Sequence, residues 1–478
     1  MFKIENKSFG YIKGKYDLKN INLNISSGEV ILLCGESGCG KTTITRILNG
    51  LIPHFYNGHE NGVAYFKNNN IADIEIYKLA ENIGSVFQNP KTQFFNVDTT
   101  SEIVFGCENL GYSVSDIEER FKQVTSDYKI HNIIDRSIFK LSGGEKQKIA
   151  CASVSAVNPD IIILDEPSSN LDYKSSWEFE NIIQEWKNQG KTVVIAEHKL
   201  FFLKDVVDRV LFIKNGEILY DWTIDEFKQK NFNKLNLREL NLKNTKVKHP
   251  TYYSNDSKVM SLDNFKFSYK KNEALNIEHV DIPQNEIIAI IGENGAGKST
   301  FVRCLCGLER SCKGKLTMDG EILNNKKRLK RSFMVMQDVN HQLFTESVLE
   351  ELLLSMDEED ENKALDILKK LNLDKLKDTH PMALSGGEKQ RVAIGSALAS
   401  MKDILIFDEP TSGLDLRHMR EVSDILVNLQ KLGITSFIVT HDYELICESC
   451  SHVLHFENGR IIDSYKIDEE KLKKFFII

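Results

Sequence analysis

The heptapeptide LSGGEKQ occurs twice in this chain of 478 residues, at Leu141–Gln147 and again at Leu384–Gln390. In both halves the serine of this motif precedes by 23 residues an aspartate that ends an apolar run, Asp165 in the first half and Asp408 in the second. In both halves a histidine follows that aspartate by 33 residues. A repeat that keeps these spacings predicts two like domains in tandem, and the chain length fits two domains better than one core.

Each half is predicted to be an α/β domain. Short β-branched runs alternate with longer helical patterns, which is typical of parallel β-α-β units. Such sheets build their functional sites at the carboxyl ends of the strands. The repeat predicts a first domain over residues 1–224, a partly helical Lys/Asn-rich linker over 225–258 and a second domain over 259–478. Six apolar runs are predicted to be buried strands that end at polar residues or glycine: Val30–Gly35, Ile161–Glu166, Thr192–His198, Ile287–Gly292, Ile404–Glu409 and Thr435–His441.

Composition narrows the possible partners. The formal net charge of −8 argues against generic nucleic-acid binding. No uninterrupted apolar stretch approaches the roughly 18 residues needed to span a bilayer. The nine cysteines are scattered, which suits a reducing cytosol better than a disulfide framework. Cys304 and Cys306 would not face each other on a helix, and Cys447-x-x-Cys450 has no second pair near it, so we predict a metal site at neither.

Two segments, GESGCGKT and GENGAGKS, match the phosphate-loop pattern between a predicted strand and a predicted helix. Glycines let backbone N–H groups turn inward around a β-phosphate, and the helix amino terminus adds its positive dipole end. Lys41 and Lys298 should bridge the β- and γ-phosphates, and the hydroxyls of Thr42 and Ser299 should contact Mg²⁺. The predicted nucleotide-binding residues of the two loops are Gly35, Glu36, Ser37, Gly38, Cys39, Gly40, Lys41, Thr42 and Thr43, and Gly292, Glu293, Asn294, Gly295, Ala296, Gly297, Lys298, Ser299 and Thr300.

Two predicted strands end in Asp-Glu-Pro and carry the expected catalytic carboxylates. Asp165 and Asp408 should hold Mg²⁺. Glu166 and Glu409, which follow them, are our candidates for polarising the attacking water. Both copies follow four apolar residues, which favours this function over a solvated carboxylate at a strand end.

Histidines and glutamines recur at matching places. His198 and His441 are predicted to contact the γ-phosphate and to hold the attacking water. A lone histidine after a strand is usually structural, so this prediction depends on the shared spacing of the two. Gln88 and Gln337 each follow a short apolar run, where a side-chain amide could reach Mg²⁺ and the water.

Two tyrosines precede the phosphate loops, Tyr11 by 24 residues and Tyr269 by 23. An aromatic ring at this place could stack on adenine. Tyr16 lies close to Tyr11 in the sequence, and an exposed tyrosine in a turn is the ordinary alternative.

Together these motifs resemble the ATPase subunits of the ABC superfamily. With the segments Ser168–Asp172 and Thr411–Asp415, the resemblance covers nearly the whole chain, twice. It implies two P-loop NTPase domains in tandem, each a mainly parallel sheet with a small helical subdomain and an antiparallel β subdomain. It implies ATP and Mg²⁺ as cofactors. Asn170, where glycine or alanine is more usual, departs mildly from the pattern.

The resemblance also implies that the signature residues of one half complete the ATP site of the other, so that the two domains pair within the chain. A serine hydroxyl and glycine amides at the start of a helix form a second cradle for an anion. The caps implied in this way are Ser385, Gly386 and Gly387 for ATP on Lys41, and Ser142, Gly143 and Gly144 for ATP on Lys298.

The segments after the two glutamines narrow the resemblance. Val86–Gly111 and Val335–Leu352 resemble the ATPase subunits of energy-coupling factor importers, and Leu51–Gly58 and Ala196–His198 are similar to fused double ATPases of that group. The implied function is ATP hydrolysis at the cytoplasmic face of the cell membrane, coupled to uptake of a vitamin, a vitamin precursor or a transition-metal ion. The implied partners are a membrane coupling protein and a substrate-binding membrane subunit.

In that family the region after the glutamine receives a helix of the coupling protein, and Phe94, Phe95, Leu343 and Phe344 could line its groove. Alternatively, these side chains pack beneath the helical subdomain. Three other functions are considered: a soluble tandem ABC ATPase acting on ribosomes, the fused ATPase of a sugar importer, and a nucleotide-gated interaction module. The short linker of mixed charge speaks against the first, and the two intact Asp-Glu pairs speak against the last.

Overall fold

A computed structural model describes residues 1–169, 171–248, 258–270 and 272–477. The chain forms two compact units. The first consists of Met1–Leu242 together with Gly413–Arg417, and the second of Lys243–Ser412 together with His418–Ile478. Part of the predicted linker, residues 249–257, lies outside the described residues, so the linker boundaries stay a prediction. Asn170 also lies outside them.

The described residues of the first unit form ten strands and nine α-helices before residue 243. The strands are β1 (Phe2–Gly10), β2 (Leu18–Ile25), β3 (Val30–Cys34), β4 (His59–Phe66), β5 (Asn69–Asn70), β6 (Ile83–Val86), β7 (Ile161–Asp165), β8 (Thr192–Ala196), β9 (Arg209–Lys214) and β10 (Glu217–Thr223). The helices are α1 (Lys41–Leu48), α2 (Leu51–His54), α3 (Ile76–Ala80), α4 (Thr99–Asn109), α5 (Val114–Asp127), α6 (Gly143–Ala156), α7 (Tyr173–Asn188), α8 (Ile224–Lys228) and α9 (Phe232–Leu235).

Two sheets organise the first unit. The larger has the order β10-β9-β3-β8-β7-β6 and is parallel except for β10, which runs antiparallel to β9. The central strands are buried on both faces, which is why they read as continuous apolar runs in the sequence. The smaller sheet is antiparallel, with the order β2-β1-β4-β5. Helices α4 and α5 lie between the glutamine and the signature motif and pack against α6.

The second unit repeats this plan. Its strands are β11 (Val259–Tyr269), β12 (Asn272–Pro283), β13 (Ile287–Ile291), β14 (Lys313–Met318), β15 (Glu321–Ile322), β16 (Ser332–Val335), β17 (Ile404–Asp408), β18 (Thr435–Val439), β19 (His452–Glu457) and β20 (Arg460–Lys466). Its helices are α10 (Lys298–Leu305), α11 (Asn325–Arg331), α12 (Val348–Leu354), α13 (Glu361–Lys370), α14 (Gly386–Ser400), α15 (Leu416–Lys431, whose first two residues belong to the first unit), α16 (Tyr443–Ser449) and α17 (Glu469–Phe476). The sheet orders are β16-β17-β18-β13-β19-β20 and β12-β11-β14-β15.

The predicted fold is therefore confirmed: each half has a mainly parallel sheet, helices and a small antiparallel sheet. The six predicted strands are β3, β7, β8, β13, β17 and β18, and each phosphate loop leads from a buried central strand into a helix. Within the described residues, no helix has the length and hydrophobicity required to cross a membrane.

Candidate functional site

The first phosphate loop connects β3 to α1 and is closed by a buried lysine. Gly40, the last residue before α1, has φ of 111°, a left-handed conformation that favours glycine, and a Cβ there would lie 2.5 Å from Leu18 Cδ2. Lys41 folds back over the loop. Its Nζ donates hydrogen bonds to the carbonyls of Gly35 (3.1 Å) and Glu36 (3.2 Å). The loop thus holds its cation at the start of a helix, where an anion would be stabilised.

The second phosphate loop has the same geometry between β13 and α10. Gly297 has φ of 100°. Lys298 is buried, and its Nζ donates to the carbonyls of Gly292 (2.7 Å) and Glu293 (3.0 Å). The two loops, 257 residues apart, thus present the same cation in the same way.

In the first unit the predicted catalytic side chains meet at the phosphate loop. His198 Nε2 lies 3.2 Å from Lys41 Nζ and 3.3 Å from Glu166 Oε1. The amide nitrogen of Gln88 donates to Glu166 Oε2 at 2.6 Å. Side chains from three strand ends therefore lie together, as expected at the carboxyl edge of a parallel sheet.

Both catalytic-candidate glutamates have a left-handed backbone. Glu166 has φ of 47° and Glu409 has φ of 50°. The N–H of Glu166 donates to Ala196 O and that of Glu409 to Val439 O, each at 2.8 Å. Such conformations cost energy for a residue with a Cβ and tend to occur at functional sites. The sharp turn holds each carboxylate at the edge of its sheet.

The charge state of Glu166 suits a proton acceptor. Burial acts to raise the pKa of Glu166, but the neighbouring His198 and Lys41 outweigh it, and the pKa lies below its ordinary value. The carboxylate is thus ionised at neutral pH. An ionised carboxylate only accepts hydrogen bonds, so it can orient a water molecule and take its proton.

Asp165 lies beside a hydroxyl that begins α1. Thr42 Oγ1 donates to Asp165 Oδ1 at 3.1 Å. Burial, together with the negative Glu166, raises the pKa of Asp165 to about 6. A bound cation would reverse this, since it favours the ionised form. Hydroxyl and carboxylate oxygens suit Mg²⁺, which keeps water and phosphate oxygens as its other ligands.

In the second unit Asp408 and Ser299 occupy the matching places. Burial raises the pKa of Asp408, and a hydrogen bond from Ser299 partly offsets this. His441 Nε2 lies 3.7 Å from Glu409 Oε1, and the His441 N–H donates to Glu409 Oε2 at 3.4 Å. Gln337 is exposed. Among the described residues, no three or more His, Cys, Asp or Glu side chains are grouped so as to hold a metal ion.

The two tyrosines predicted to face adenine have different surroundings. The ring of Tyr11 is partly buried, and its hydroxyl accepts a hydrogen bond from Arg46 Nη1 at 2.7 Å. Tyr56 packs edge-on against Tyr11, with Arg46 4.2 Å above the Tyr56 ring centre. Tyr269 is half exposed and packs edge-on against Phe267.

Both signature serines begin a helix as part of a capping box. Ser142 Oγ accepts from the N–H of Glu145 (3.3 Å), whose carboxylate accepts from the N–H of Ser142 (2.8 Å). Ser385 and Glu388 repeat the arrangement at 3.4 and 2.8 Å. The glycines Gly143, Gly144, Gly386 and Gly387 form the first turns of α6 and α14. Each signature therefore sits at the positive end of a helix of 14 or 15 residues.

The first unit also includes the segment Gly413–Arg417. Within this unit, the N–H of Ser37 in the phosphate loop donates to Asp415 Oδ2 at 2.6 Å.

Three buried glutamates, Glu102, Glu197 and Glu351, accept hydrogen bonds from backbone N–H groups of loops and were not predicted from the sequence. Glu102 and Glu351 each follow the predicted glutamine by 14 residues, so the repeat carried a signal for them. Glu197 precedes His198 and has threonine, Thr440, as its counterpart before His441, so spacing gave no signal.

Comparisons with known proteins agree with this geometry. A profile of the ABC transporter family matches residues 18–169 and 275–412. Two proteins of Treponema denticola, both named "Putative ABC transporter ATP-binding protein", are 46% identical over 97% of this chain and 96% of their own length, and 37% identical over 94% of each. Among solved structures, one of ribosome-bound archaeal Pelota and ABCE1 matches with a TM-score of 0.70 and 25% identity, over 97% of this chain and 78% of that one.

Proposed function

Since this chain belongs to the ABC transporter family of ATP-hydrolysing proteins, we propose that it is the motor subunit of an energy-coupling factor type importer. It would act at the cytoplasmic face of the cell membrane on a coupling protein and a substrate-binding membrane subunit. The cargo would be a vitamin, a vitamin precursor or a transition-metal ion. The observation that carries this proposal is a matched pair of exposed phenylalanines, Phe95 and Phe344, one in each half.

The side chains of each site have distinct roles in hydrolysis. Lys41 and His198 bind the γ-phosphate, and Glu166 orients the attacking water and accepts its proton. Lys298, His441 and Glu409 do the same in the second half. When bound, Mg²⁺ neutralises charge on the β- and γ-phosphates. Its ligands would be the side-chain oxygens of Thr42, Asp165 and Gln88 in the first half, and of Ser299, Asp408 and Gln337 in the second.

The exposed phenylalanines support a docking function. Phe95 is 78% exposed and Phe344 is 73% exposed, and each lies in the loop that precedes a helix, α4 or α12. An exposed aromatic ring on a fixed loop suits an apolar partner such as a helix of a membrane protein. Leu343 fits the alternative instead, since it is 3% exposed and packs inside the second unit.

A buried carboxylate fixes each of these loops. Glu102 Oε2 accepts from the backbone N–H groups of Phe95 (3.0 Å) and Asn96 (2.8 Å). Glu351 Oε2 accepts in the same way from Phe344 and Thr345, each at 3.1 Å.

A glutamine closes the other end of each loop. Gln93 accepts from the N–H of Phe87 and donates to Ser85 O, at 3.2 Å each. Gln342 repeats both bonds, with Met336 at 3.0 Å and Met334 at 3.2 Å. Both halves thus contain the same anchored loop, which suits a coupling protein with two similar helices.

The experiment that tests this function is co-purification with the products of neighbouring membrane genes. We expect Phe95→Glu combined with Phe344→Glu to lose the coupling protein, because two charges would be desolvated on docking, while ATP hydrolysis by the isolated chain stays within about twofold. Val114→Glu and Leu432→Glu, at exposed apolar residues elsewhere, serve as controls and should keep the partner. Retention of the coupling protein by the phenylalanine variant would refute this docking surface.

A second candidate function is action on ribosomes, which the likeness to the ribosome-bound archaeal ABCE1 favours. Sedimentation of the tagged chain from cell extract distinguishes the two. Recovery with ribosomal particles in the presence of ATP, and absence from the membrane fraction, would favour this candidate over the importer.

The proposal includes ATP sites completed by the signature of the other half, as the resemblance of the motifs implies. To shift such a clamp from 1:99 to 99:1 closed takes about 5.5 kcal/mol of differential binding, or about 100-fold per ATP over two sites. A few charge-assisted hydrogen bonds, at roughly 1.5–3 kcal/mol each, suffice.

The test of this arrangement is Ser385→Arg in a chain whose second site is disabled by Lys298→Ala. We expect the variant to lose hydrolysis at the site built on Lys41. Unchanged hydrolysis would show that the first half works without this cap.

A further inference from the structure

The loops that carry the two histidines are held differently in the two halves. In the first unit the buried residue before the histidine, Glu197, is 2% exposed and is surrounded by backbone donors. Its Oε1 accepts from the N–H groups of His198 (2.7 Å) and Lys199 (3.1 Å). Its Oε2 accepts from the N–H of Ser168 at 3.1 Å. One carboxylate thus joins the histidine loop to the turn that follows Asp165 and Glu166.

In the second unit two side chains make the corresponding contacts. Thr440, at the place of Glu197, accepts through its hydroxyl from the N–H of Asp442 at 3.0 Å. Asp442, which follows the histidine, accepts from the hydroxyl of Thr411 at 2.7 Å. Thr411 lies three residues after Asp408, as Ser168 lies three after Asp165. The same two loops are therefore joined in both units, by the Thr411–Asp442 bond in one and by Glu197 in the other. Thr440 adds a bond within the histidine loop.

We propose that Glu197 is the positioning residue for His198 in the first ATP site, doing alone what Thr440 and Asp442 do for His441 in the second. This inference rests on the role proposed above for His198 and goes beyond it. Glu197 does not touch substrate: its contacts are backbone groups on the two loops that present His198 and Glu166. Loss of these contacts would let the two catalytic side chains drift apart.

A carboxylate suits this place because it faces three N–H donors. Burial and the nearby Glu166 raise the pKa of Glu197, and the hydrogen bonds from these donors partly offset that rise. Glutamine at this position would offer one acceptor oxygen, and its NH₂ would oppose the remaining N–H. The counterpart of Asp442 in the first unit is Lys199, so the arrangement of Thr440 and Asp442 has no equivalent there.

A transplant tests the proposal. In a Glu409→Gln background, which silences hydrolysis at the second half's glutamate, single-turnover hydrolysis reports on Glu166. We expect Glu197→Ala to lower the rate by roughly tenfold to a hundredfold, as for small misplacements of catalytic groups, while ATP affinity stays within about threefold. The double variant Glu197→Thr/Lys199→Asp, which builds the second unit's pair into the first, should restore most of the rate.

The matched variant is Asp442→Ala in a Glu166→Gln background, which should slow hydrolysis at the second half's glutamate in the same way. If Glu197→Ala does not fold, Glu197→Gln takes its place in the comparison. An unchanged rate of hydrolysis in the Glu197→Ala variant would overturn the proposal. So would a loss of ATP binding equal to the loss of rate with no recovery in the transplant, since that pattern indicates a purely structural side chain.

Discussion

Replacement of Asp165 by asparagine should stabilise the nucleotide-free protein while removing its response to Mg²⁺ and ATP. Asparagine has the shape of aspartate and can still accept the hydrogen bond from Thr42. It lacks the negative charge, which burial beside Glu166 makes costly. The variant therefore separates the cost of a buried charge from its use in binding a cation.

The size of the effect follows from the pKa of Asp165, which rises from 3.8 to about 6 on folding. At about 1.4 kcal/mol per pKa unit this corresponds to about 3 kcal/mol. The folded chain holds the Asp165 proton more tightly than the unfolded chain does. Its contribution to the free energy of unfolding is therefore fully present below pH 3.8 and is lost as the pH rises through 6. Between pH 5 and pH 8 the expected loss is about 1.4 kcal/mol.

The measurement is urea unfolding in EDTA at pH 5 and pH 8, followed by tryptophan fluorescence. All three tryptophans, at positions 177, 186 and 222, lie in the first unit, so the signal reports on that unit. The stability gained by Asp165→Asn should be about 1.4 kcal/mol larger at pH 8 than at pH 5. Added Mg²⁺ and ATP should stabilise the wild-type protein and leave the variant nearly unchanged.

Two controls accompany this experiment. Asp225→Asn replaces a side chain that is 87% exposed and should change neither stability nor its pH dependence. Asp408→Asn changes a buried carboxylate whose pKa is also raised by burial, but in the second unit, so the fluorescence transition should not move. A gain for Asp165→Asn that is equal at both pH values would refute the reasoning.

Three further predictions concern hydrolysis and packing. Glu166→Gln combined with Glu409→Gln should bind ATP normally and lose turnover by about 10²–10⁴-fold, the usual contribution of a general base; near-normal steady-state hydrolysis would remove both residues from that role. Ser142→Ala should lower the free energy of unfolding by about 1 kcal/mol, because α6 loses its capping side chain. Urea unfolding measures this decrease, and an unchanged free energy would mean that water replaces the cap. Trp186→Phe should cost about 1–3 kcal/mol in the same assay, since the buried indole packs in the core and donates to Ser155 Oγ at 2.9 Å; stability within experimental error would contradict that contribution.

The sequence was sufficient for the central sheet and for the position of the phosphate loops. A strand buried on both faces reads as an apolar run such as Val30–Cys34, and the left-handed conformation at Gly40 favours glycine. Parallel strands bring their carboxyl ends to one edge, so Lys41, Glu166 and His198 could be expected to meet although they are far apart in the chain. The assignment of roles to these side chains remains a prediction.

Other features depend on contacts with residues that lie outside the motifs. The orientation of Tyr11 depends on Arg46 and Tyr56, while the matching Arg303 pairs instead with Glu309. Glu197 has no equivalent in the repeat, because its function is divided between two residues in the other half. Tertiary contacts of this kind are specific to each half, and a comparison of spacings alone passes over them.

If the loops that carry Phe95 and Phe344 dock a coupling protein as proposed, the buried glutamates beneath them have a thermodynamic consequence for binding. A loop already fixed by Glu102 or Glu351 loses little conformational entropy when a partner arrives. Most of the energy gained from burying each ring is then available as affinity, so a small contact can transmit force without being permanent. Substitution of Glu102 or Glu351 should therefore weaken partner binding without slowing ATP hydrolysis.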